Sequence, residues 1–472
     1  MNILLLNPPG YDHKFFIREG RCNQEQGVWG TIWPPITLAT SAAMLENKGY
    51  FVEVLDCSAQ KTSLDNLLNS VRRNTYQFII WTVGTPSIKR DLELADIIKQ
   101  IKPETRTAIV GTHATALPDD CLLNTAGLDF VIRNEPEETI LALIECISLN
   151  KSIKEVSGIS YKTQNGKVIH NNERPFIKNL DSLPFPAWNY LDLNKYKLPL
   201  IGKKFVILSP VRGCPFSCIF CTAQSYYGKQ LRKRSPERMI DEIIHNYKTY
   251  NVDHFFIWAD TFTADKKYVM KFCQLIIEKK LRIKWTCNSR VDTVSEVLLN
   301  IMAKAGCWMI SYGIESGNQH ILDAIQKKIT LDQSYKAVKL AQKAGLKVAG
   351  HFILGFPGET KKTLESTIKF AISLNMDIVQ FYTAVPFPGS PLYKISMDKG
   401  WISNKTFEEF RQDKAIMSLP NLAPSVVDEY RKKGYVKFYM RPHQLLKILK
   451  LFHLRTIFQT ITKGVSFIRW MH

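Results

Sequence analysis

The densest group of reactive side chains is Arg212-Gly-Cys214-Pro-Phe-Ser-Cys218-Ile-Phe-Cys221, three cysteines spaced CxxxCxxC directly after an apolar run. In a loop, that spacing can turn three thiolates inward onto one centre. Iron–sulfur clusters are normally held by four Cys thiolates. Three would leave one iron open to a further ligand, and an open iron is a place for chemistry. The competing reading is a zinc knob, although structural zinc prefers four closed ligands, often as two CxxC pairs. The other seven cysteines (Cys22, Cys57, Cys121, Cys146, Cys273, Cys287 and Cys307) show no ligand spacing. Buried apolar positions suit most of them, so one cluster is expected and no auxiliary one.

The elements that must position this loop read as strands alternating with helices. From residue 203 onward, apolar runs occur at Phe205 to Leu208, His254 to Trp258, Ile283 to Thr286, Trp308 to Tyr312, Val348 to Leu354 and Ile378 to Phe381, with helical patterns between them. Six β/α repeats in about 200 residues predict a partial, open TIM-type (β/α)6 barrel over 201–400 rather than a closed eight-stranded one. Residues 1–150 show the same alternation. Their runs are Ile3 to Leu6, Phe51 to Leu55, Phe78 to Val83, Thr107 to Gly111 and Phe130 to Ile132, with helices at Leu38 to Lys48, Ile88 to Ile101 and Glu137 to Leu149. Five such units predict a doubly wound, flavodoxin-like (Rossmann-type) parallel sheet, whose ligands bind beyond the carboxyl ends of the strands.

Between the two, residues 151–200 read as a β-hairpin turning at Asn165-Gly166, a pair that suits type I′. A proline-rich linker follows, Leu183-Pro-Phe-Pro-Ala-Trp188. Residues 401–472 read as a helical region. Its last 32 residues, Arg441 to His472, carry six Lys or Arg and no Asp or Glu, with Leu445, Leu449, Phe452, Ile457, Ile461 and Ile468 at helical spacing. Such a tail suits either an anionic membrane surface or a capping helix pair with a solvated basic face.

Composition narrows the classes. With 472 residues, 45% hydrophobic, the chain is long enough for two or three domains. No apolar run reaches the roughly 18 residues of a spanning helix. The start, Met-Asn-Ile-Leu-Leu-Leu-Asn, lacks the basic region of a signal peptide. A cytoplasmic, reducing location is therefore expected, peripheral to the inner membrane face if the tail binds lipid, and the cysteines are expected to be thiols or metal ligands. The net charge of +20 is compatible with nucleic acid, membrane or phosphorylated substrates and does not choose among them.

The cysteine triad, with aromatic Phe220 before its last member, resembles the signature of the radical S-adenosylmethionine (radical SAM) superfamily. The resemblance implies a [4Fe-4S] cluster on Cys214, Cys218 and Cys221. S-adenosylmethionine would chelate the open iron through its amino and carboxylate groups. One electron would then cleave the sulfonium and release a 5′-deoxyadenosyl radical that takes hydrogen from substrate. Further segments resemble the family's strand-end motifs: Trp258-Ala-Asp260-Thr-Phe-Thr, Asn288-Ser-Arg290-Val-Asp292, Gly313-Ile-Glu315-Ser316-Gly317, Gly355-Phe-Pro357-Gly358-Glu359-Thr and Pro386-Phe-Pro388-Gly389-Ser-Pro391. By that resemblance Phe220, Asp260, Arg290, Glu315, Ser316, Gly355 and Pro388 would border S-adenosylmethionine. The chain departs from the pattern at one place. No Gly-Gly-Glu-Pro segment follows the second barrel strand, where Ala259-Asp260-Thr261 stands instead.

The front domain resembles that of the cobalamin-binding branch, through Asn7-Pro8-Pro9, Trp33-Pro34-Pro35, Gly111-Thr112-His113-Ala114-Thr115, Asn134-Glu135-Pro136-Glu137 and Leu183-Pro-Phe-Pro-Ala-Trp188. This implies cobalamin, bordered by Pro8, Thr85, Ser87, Gly111, His113, Thr115 and Glu135. The Asp-x-His-x-x-Gly pattern that supplies a cobalt ligand elsewhere is absent, so His113 reads as a polar contact.

The closing segment Phe438-Tyr-Met-Arg441-Pro442 resembles the anaerobic Mg-protoporphyrin IX monomethyl ester cyclase and the hopanoid- and lipid-associated group. The expected reaction is methylation of an unactivated carbon of a hydrophobic or natural-product substrate, and the alternative is radical cyclisation or rearrangement without methyl transfer. A small-molecule substrate and a low-potential donor such as flavodoxin or ferredoxin are the expected partners. RNA modification is the weaker alternative, because no auxiliary cysteine triad or appended RNA-binding module is present.

Overall fold

In the computed structural model, the described residues are 1–451 apart from 12–13, 21–23, 26–30 and 199–200. Cys22 and the tail positions Phe452, Ile457, Ile461 and Ile468 lie outside them. The front domain is a parallel sheet of β1 (Asn2–Asn7), β2 (Phe51–Asp56), β3 (Phe78–Thr82), β4 (Arg106–Val110) and β5 (Phe130–Ile132), in the order β2-β1-β3-β4-β5. That is the flavodoxin-like order. Side chains alternate across the sheet as a doubly covered strand requires. Ile3, Leu5, Phe78, Ile80, Ala108 and Val110 enter one core, while Leu4, Leu6, Ile79, Trp81, Ile109 and Val131 enter the other. The first of these cores runs without a break into the barrel.

The hairpin β6 (Ile159–Lys162) and β7 (Val168–His170) does not stand apart. It extends the front sheet antiparallel to β5, making seven strands. Its turn is not type I′, which needs positive φ at both central residues. Only Gly166 is left-handed (φ 81°), and its N–H donates to Thr163 O at 2.9 Å while Thr163 N–H reaches Lys167 O at 2.9 Å. The proline-rich segment is irregular but not a solvated tether. Leu183, Ala187 and Trp188 are buried, and Ala187 N–H donates to Ala39 O of the helix Ile36–Glu46 at 3.0 Å.

The second sheet is β8 (Val206–Leu208), β9 (His254–Ile257), β10 (Lys284–Ser289), β11 (Cys307–Glu315), β12 (Lys347–Leu354) and β13 (Ile378–Thr383), parallel and paired in chain order. It is a six-stranded open barrel. An open barrel exposes unpaired backbone at its last strand, and here two tyrosines of the helix Pro424–Tyr439 cover it. Tyr439 Oη accepts from Val379 N–H at 3.0 Å and donates to Val379 O at 2.7 Å. Tyr435 Oη does the same at Phe381, at 3.2 and 3.3 Å. The helix Pro442–Leu451 follows. Among the described residues no helix is long and apolar enough to cross a membrane.

Candidate active site

The cysteine loop leaves β8 and is closed at its base by a two-residue antiparallel ribbon, Val211–Arg212 with Arg232–Lys233. The ends are pressed together. Gly213 is left-handed (φ 89°), and a Cβ there would lie 2.1 Å from Gln230 O, so only glycine fits. Gly213 N–H donates to Asp260 Oδ2 at 3.0 Å, and Cys214 N–H to Gly228 O at 3.0 Å. Each thiol meets a different neighbour. Cys214 Sγ lies 3.2 Å from Thr261 Oγ1, Cys218 Sγ accepts from Arg290 Nη1 at 3.8 Å, and Cys221 Sγ accepts from Ala223 N–H at 3.4 Å. Cys218 and Cys221 are half-buried. Among the described residues no three His, Cys, Asp or Glu side chains stand close enough together to bind a single ion.

The strand-end residues surround this loop. Asp260 and Thr261, which replace the family's usual segment after the second strand, hold the loop backbone and the first thiol. Arg290 is fixed by Asp292 at 2.9 Å through two bonds and by Lys327 O at 2.8 Å, with its guanidinium 3.7 Å from the centroid of the Phe216 ring. Phe220 packs on Phe356, ring centroids 5.3 Å apart. Glu315 ends β11 in the left-handed region (φ 68°), a rare conformation for a residue with a side chain. Its Oε1 accepts from Lys327 Nζ at 2.7 Å, both groups being buried. Lys327, which no sequence motif marks, thus links Glu315 to the segment whose carbonyl holds Arg290. Ser316 serves the backbone instead, with its Oγ accepting from Asn318 N–H at 3.2 Å and contacting Thr367 Oγ1 at 3.2 Å. Pro388 is buried beside Gly389, where a Cβ would lie 3.2 Å from Ala116 of the front domain.

Gly355 (φ 91°) belongs to a turn capped by a carboxylate. Glu359 Oε2 accepts from Gly355 N–H at 2.5 Å and Phe356 N–H at 3.0 Å. Burial outweighs these bonds and raises the Glu359 pKa from 4.5 to about 8. Between those values the native state holds a proton that the unfolded chain has released, so this group makes stability fall as pH rises through the window. Glu19, buried against Thr37 and also raised to about 8, acts in the same direction. Glu359→Gln is expected to decline less in thermal midpoint than the parent from about pH 5 to 8. Equal slopes in thermal melts would contradict the assignment.

Of the residues expected at the corrin, Thr85, Gly111 and His113 gather at the carboxyl ends of β3 and β4. Gly111 is left-handed (φ 141°), and a Cβ there would sit 2.6 Å from Val83 O. His113 Nδ1 lies 3.2 Å from Thr85 Oγ1, and its buried Nε2 has no hydrogen-bond partner among the described residues. Burial lowers the His113 pKa to about 3, so the ring is neutral. An orphaned neutral imidazole nitrogen at the ligand-binding edge of this fold fits a bound corrinoid.

The remaining corrin expectations have other partners. Ser87 Oγ donates to Asp91 Oδ2 at 2.6 Å, beside the buried Arg18–Asp91 ion pair. Thr115 Oγ1 accepts from Asn134 N–H at 2.9 Å, and Pro8 O accepts from Arg18 Nη1 at 2.9 Å. Glu135 has the most of them. Both of its oxygens bond Arg232, and it also binds Arg212 and Ile177 N–H. It ties the front domain to the ribbon that carries the cysteine loop. Sequence reading missed Phe407, whose ring stands edge-on to His113 at 4.7 Å. The capping box of Thr406 and Glu409 was its available signal.

Inside the barrel, His351, Gln380 and Tyr382 alternate with outward-packed Phe352 and Phe381 and therefore face the lumen. Tyr382 Oη donates to Gln380 Oε1 and lies 3.4 Å from His351 Nδ1. At the other end of the strand order, Trp33 of the front domain packs edge-on against Trp258 (4.7 Å) and Phe256 (5.2 Å). The lumen thus has an aromatic side and a hydrogen-bonding side.

A four-part architecture of this kind, with a doubly wound front domain, an open barrel, a three-cysteine loop and strand-end polar groups, defines a class that comparison with known proteins identifies. Residues 208–371 match the radical SAM superfamily and residues 27–144 the B12 binding domain. The chain belongs to the radical SAM superfamily, in its cobalamin-binding branch, and is an enzyme whose cofactors are a [4Fe-4S] cluster, S-adenosylmethionine and cobalamin.

Its relatives include an uncharacterized methyltransferase of Pyrococcus horikoshii, 33% identical over 89% of this chain and 91% of that protein. The anaerobic magnesium-protoporphyrin IX monomethyl ester cyclase of Rubrivivax gelatinosus is 29% identical over 86% and 74%. Among solved structures, the fold is shared with the cobalamin-dependent S-adenosylmethionine radical enzyme OxsB, solved with aqua-cobalamin and S-adenosylmethionine bound. Its TM-score is 0.75 at 16% identity, covering 98% of this chain and 71% of that one.

Proposed function

We propose that this enzyme methylates a carbon of a lipophilic small molecule. The observation that carries the reading is the stacking of the front domain's ligand edge on the cluster edge of the barrel, where Ala116 and Gly389 meet. This would place a methyl-carrying cofactor and a radical-generating one on the same lumen. Cobalamin and the cluster-bound S-adenosylmethionine supply methyl transfer and hydrogen abstraction when bound.

The chain's own residues position and exclude. Cys214, Cys218 and Cys221 would hold the cluster, with Arg290, Glu315 and Lys327 beside it. Trp33, Phe256 and Trp258 offer an apolar wall, and His351, Gln380 and Tyr382 would orient an oxygen-bearing group of the substrate. The methyltransferase relative supports this choice over cyclisation. A low-potential one-electron donor of the flavodoxin or ferredoxin class would reduce the cluster.

The test is methyl transfer to the corrinoid itself. Reconstituted enzyme carrying reduced cobalamin is mixed anaerobically with S-adenosylmethionine. One equivalent of S-adenosylhomocysteine per corrinoid, with methylcobalamin, is expected. Formation of 5′-deoxyadenosine with no S-adenosylhomocysteine would replace this reading with the cyclase-type one.

We also propose contact with an anionic membrane through the C-terminal region. Leu445 and Leu446 are exposed on the helix Pro442–Leu451, and no Asp or Glu follows Glu429. Co-sedimentation with phosphatidylglycerol vesicles, weaker with phosphatidylcholine and lost on deleting residues 442–472, is the expected result. Equal partitioning of full-length and truncated protein would contradict it.

A further inference from the structure

The two domains meet at a buried, charge-balanced cluster that the chemistry described so far does not use. Arg212, two residues before Cys214, reaches Glu137 Oε1 at 2.5 Å and Oε2 at 3.1 Å, and Glu135 Oε1 at 3.3 Å. Arg232, its registered partner across the ribbon, reaches Glu135 Oε1 at 2.8 Å and Oε2 at 2.7 Å, Ile177 O at 2.9 Å and Tyr227 O at 2.7 Å. All four charged side chains are at most 9% exposed. Glu135 and Glu137 come from the front domain, immediately after β5 and at the start of the helix Glu137–Ser148.

The ribbon carrying both arginines encloses residues 213–231, the whole cysteine loop. A small cleft opens beside this cluster, lined by Thr37, Glu137, Arg212, Tyr227 and Trp258.

We infer that Glu135 and Glu137 are positioning residues for the cluster, through which the cobalamin-type domain holds the cysteine loop at its base. The geometry supports a direct mechanical link. A guanidinium held through both of its Nη nitrogens fixes direction as well as distance. Gly213 offers the loop no stiffness of its own. A second consequence is electrostatic. With Glu137 neutralised, Arg212 keeps its charge while its main counter-ion is gone, close to a cluster ligand. A less compensated cation at that place favours the more negative, reduced cluster.

The test uses the full-length protein reconstituted with iron and sulfide, comparing Glu137→Gln, Glu137→Asp and Arg212→Lys. Iron content in Glu137→Gln is expected to stay near the parent value, since the three thiolates are intact. Iron release to a chelator should be at least about fivefold faster, the midpoint potential should move positive, and the change in the electron paramagnetic resonance signal on adding S-adenosylmethionine should shrink. Glu137→Asp should restore the potential, because it restores the charge. Arg212→Lys, which keeps charge but loses the paired Nη contacts, should release iron faster with little change in potential. These two milder variants keep the question open to measurement should Glu137→Gln not fold. Release rates, potentials and spectra matching the parent in the folded variants would overturn the inference, and would leave the radical SAM assignment untouched.

Discussion

Exchanging Cys218 for alanine is expected to reduce iron and sulfide to background and to lower 5′-deoxyadenosine formation by on the order of 10³ or more, since enzymatic accelerations commonly exceed 10⁶. Two remaining thiolates cannot hold three corners of a four-iron cube. The loss would be specific. Cys218 is half-buried, and its Sγ makes one long contact, to Arg290. Removing it should therefore change the stability of the cluster-free protein by less than about 1 kcal/mol. Corrinoid binding should persist, because the Thr85, Gly111 and His113 edge belongs to the other sheet. A Cys218→Ala protein that keeps its cluster, or that loses corrinoid along with it, would contradict this division of labour.

The second large effect needs no change at a ligand. Gly213→Ala is expected to destabilise the loop by about 2–5 kcal/mol. A left-handed residue with a Cβ costs roughly 1–2 kcal/mol, and overpacking adds roughly 1–3 kcal/mol. The added carbon would lie 2.1 Å from Gln230 O, a backbone atom that cannot swing away. The ribbon would be forced apart, and with it the Arg212–Arg232 register that spaces the cysteines. Cluster yield on reconstitution should fall several-fold although all three thiols remain, and the thermal midpoint should drop. A Gly213→Ala protein with parental cluster content and melting would show that the loop is not held this way.

The parallel strands were legible because buried strands are written as short, nearly continuous apolar runs. Ile3 to Leu6 and Phe78 to Val83 announce themselves without any partner. The cysteine triad was legible for a similar reason, since its spacing is local. Pairings between distant residues were not. The hairpin at 159–170 could be read as a hairpin, but nothing local says that Ile159 pairs with Ile132. Lys327 carries no motif, and its link to Glu315 exists only because the chain returns to the end of β11.

Glu135 is the most instructive case. Its motif placed it at the cofactor-facing edge, yet both of its oxygens serve Arg232, 97 residues later. Whether a strand-end carboxylate faces a ligand or a neighbouring domain depends on contacts that sequence spacing does not encode. Tyr435 and Tyr439 pose the same difficulty. Their helical spacing marks a packed face, but not the exposed strand edge they cover.

If one chain brings a radical-generating cluster and a corrinoid to a common lumen, both must be measurable in one sample. The most direct measurement is anaerobic reconstitution with iron, sulfide and hydroxocobalamin, then reductant and S-adenosylmethionine, with 5′-deoxyadenosine and bound corrinoid quantified in the same sample. One corrinoid per chain is expected, together with 5′-deoxyadenosine that disappears in Cys218→Ala. Intact cluster without 5′-deoxyadenosine, or 5′-deoxyadenosine from a protein that retains no corrinoid, would contradict it.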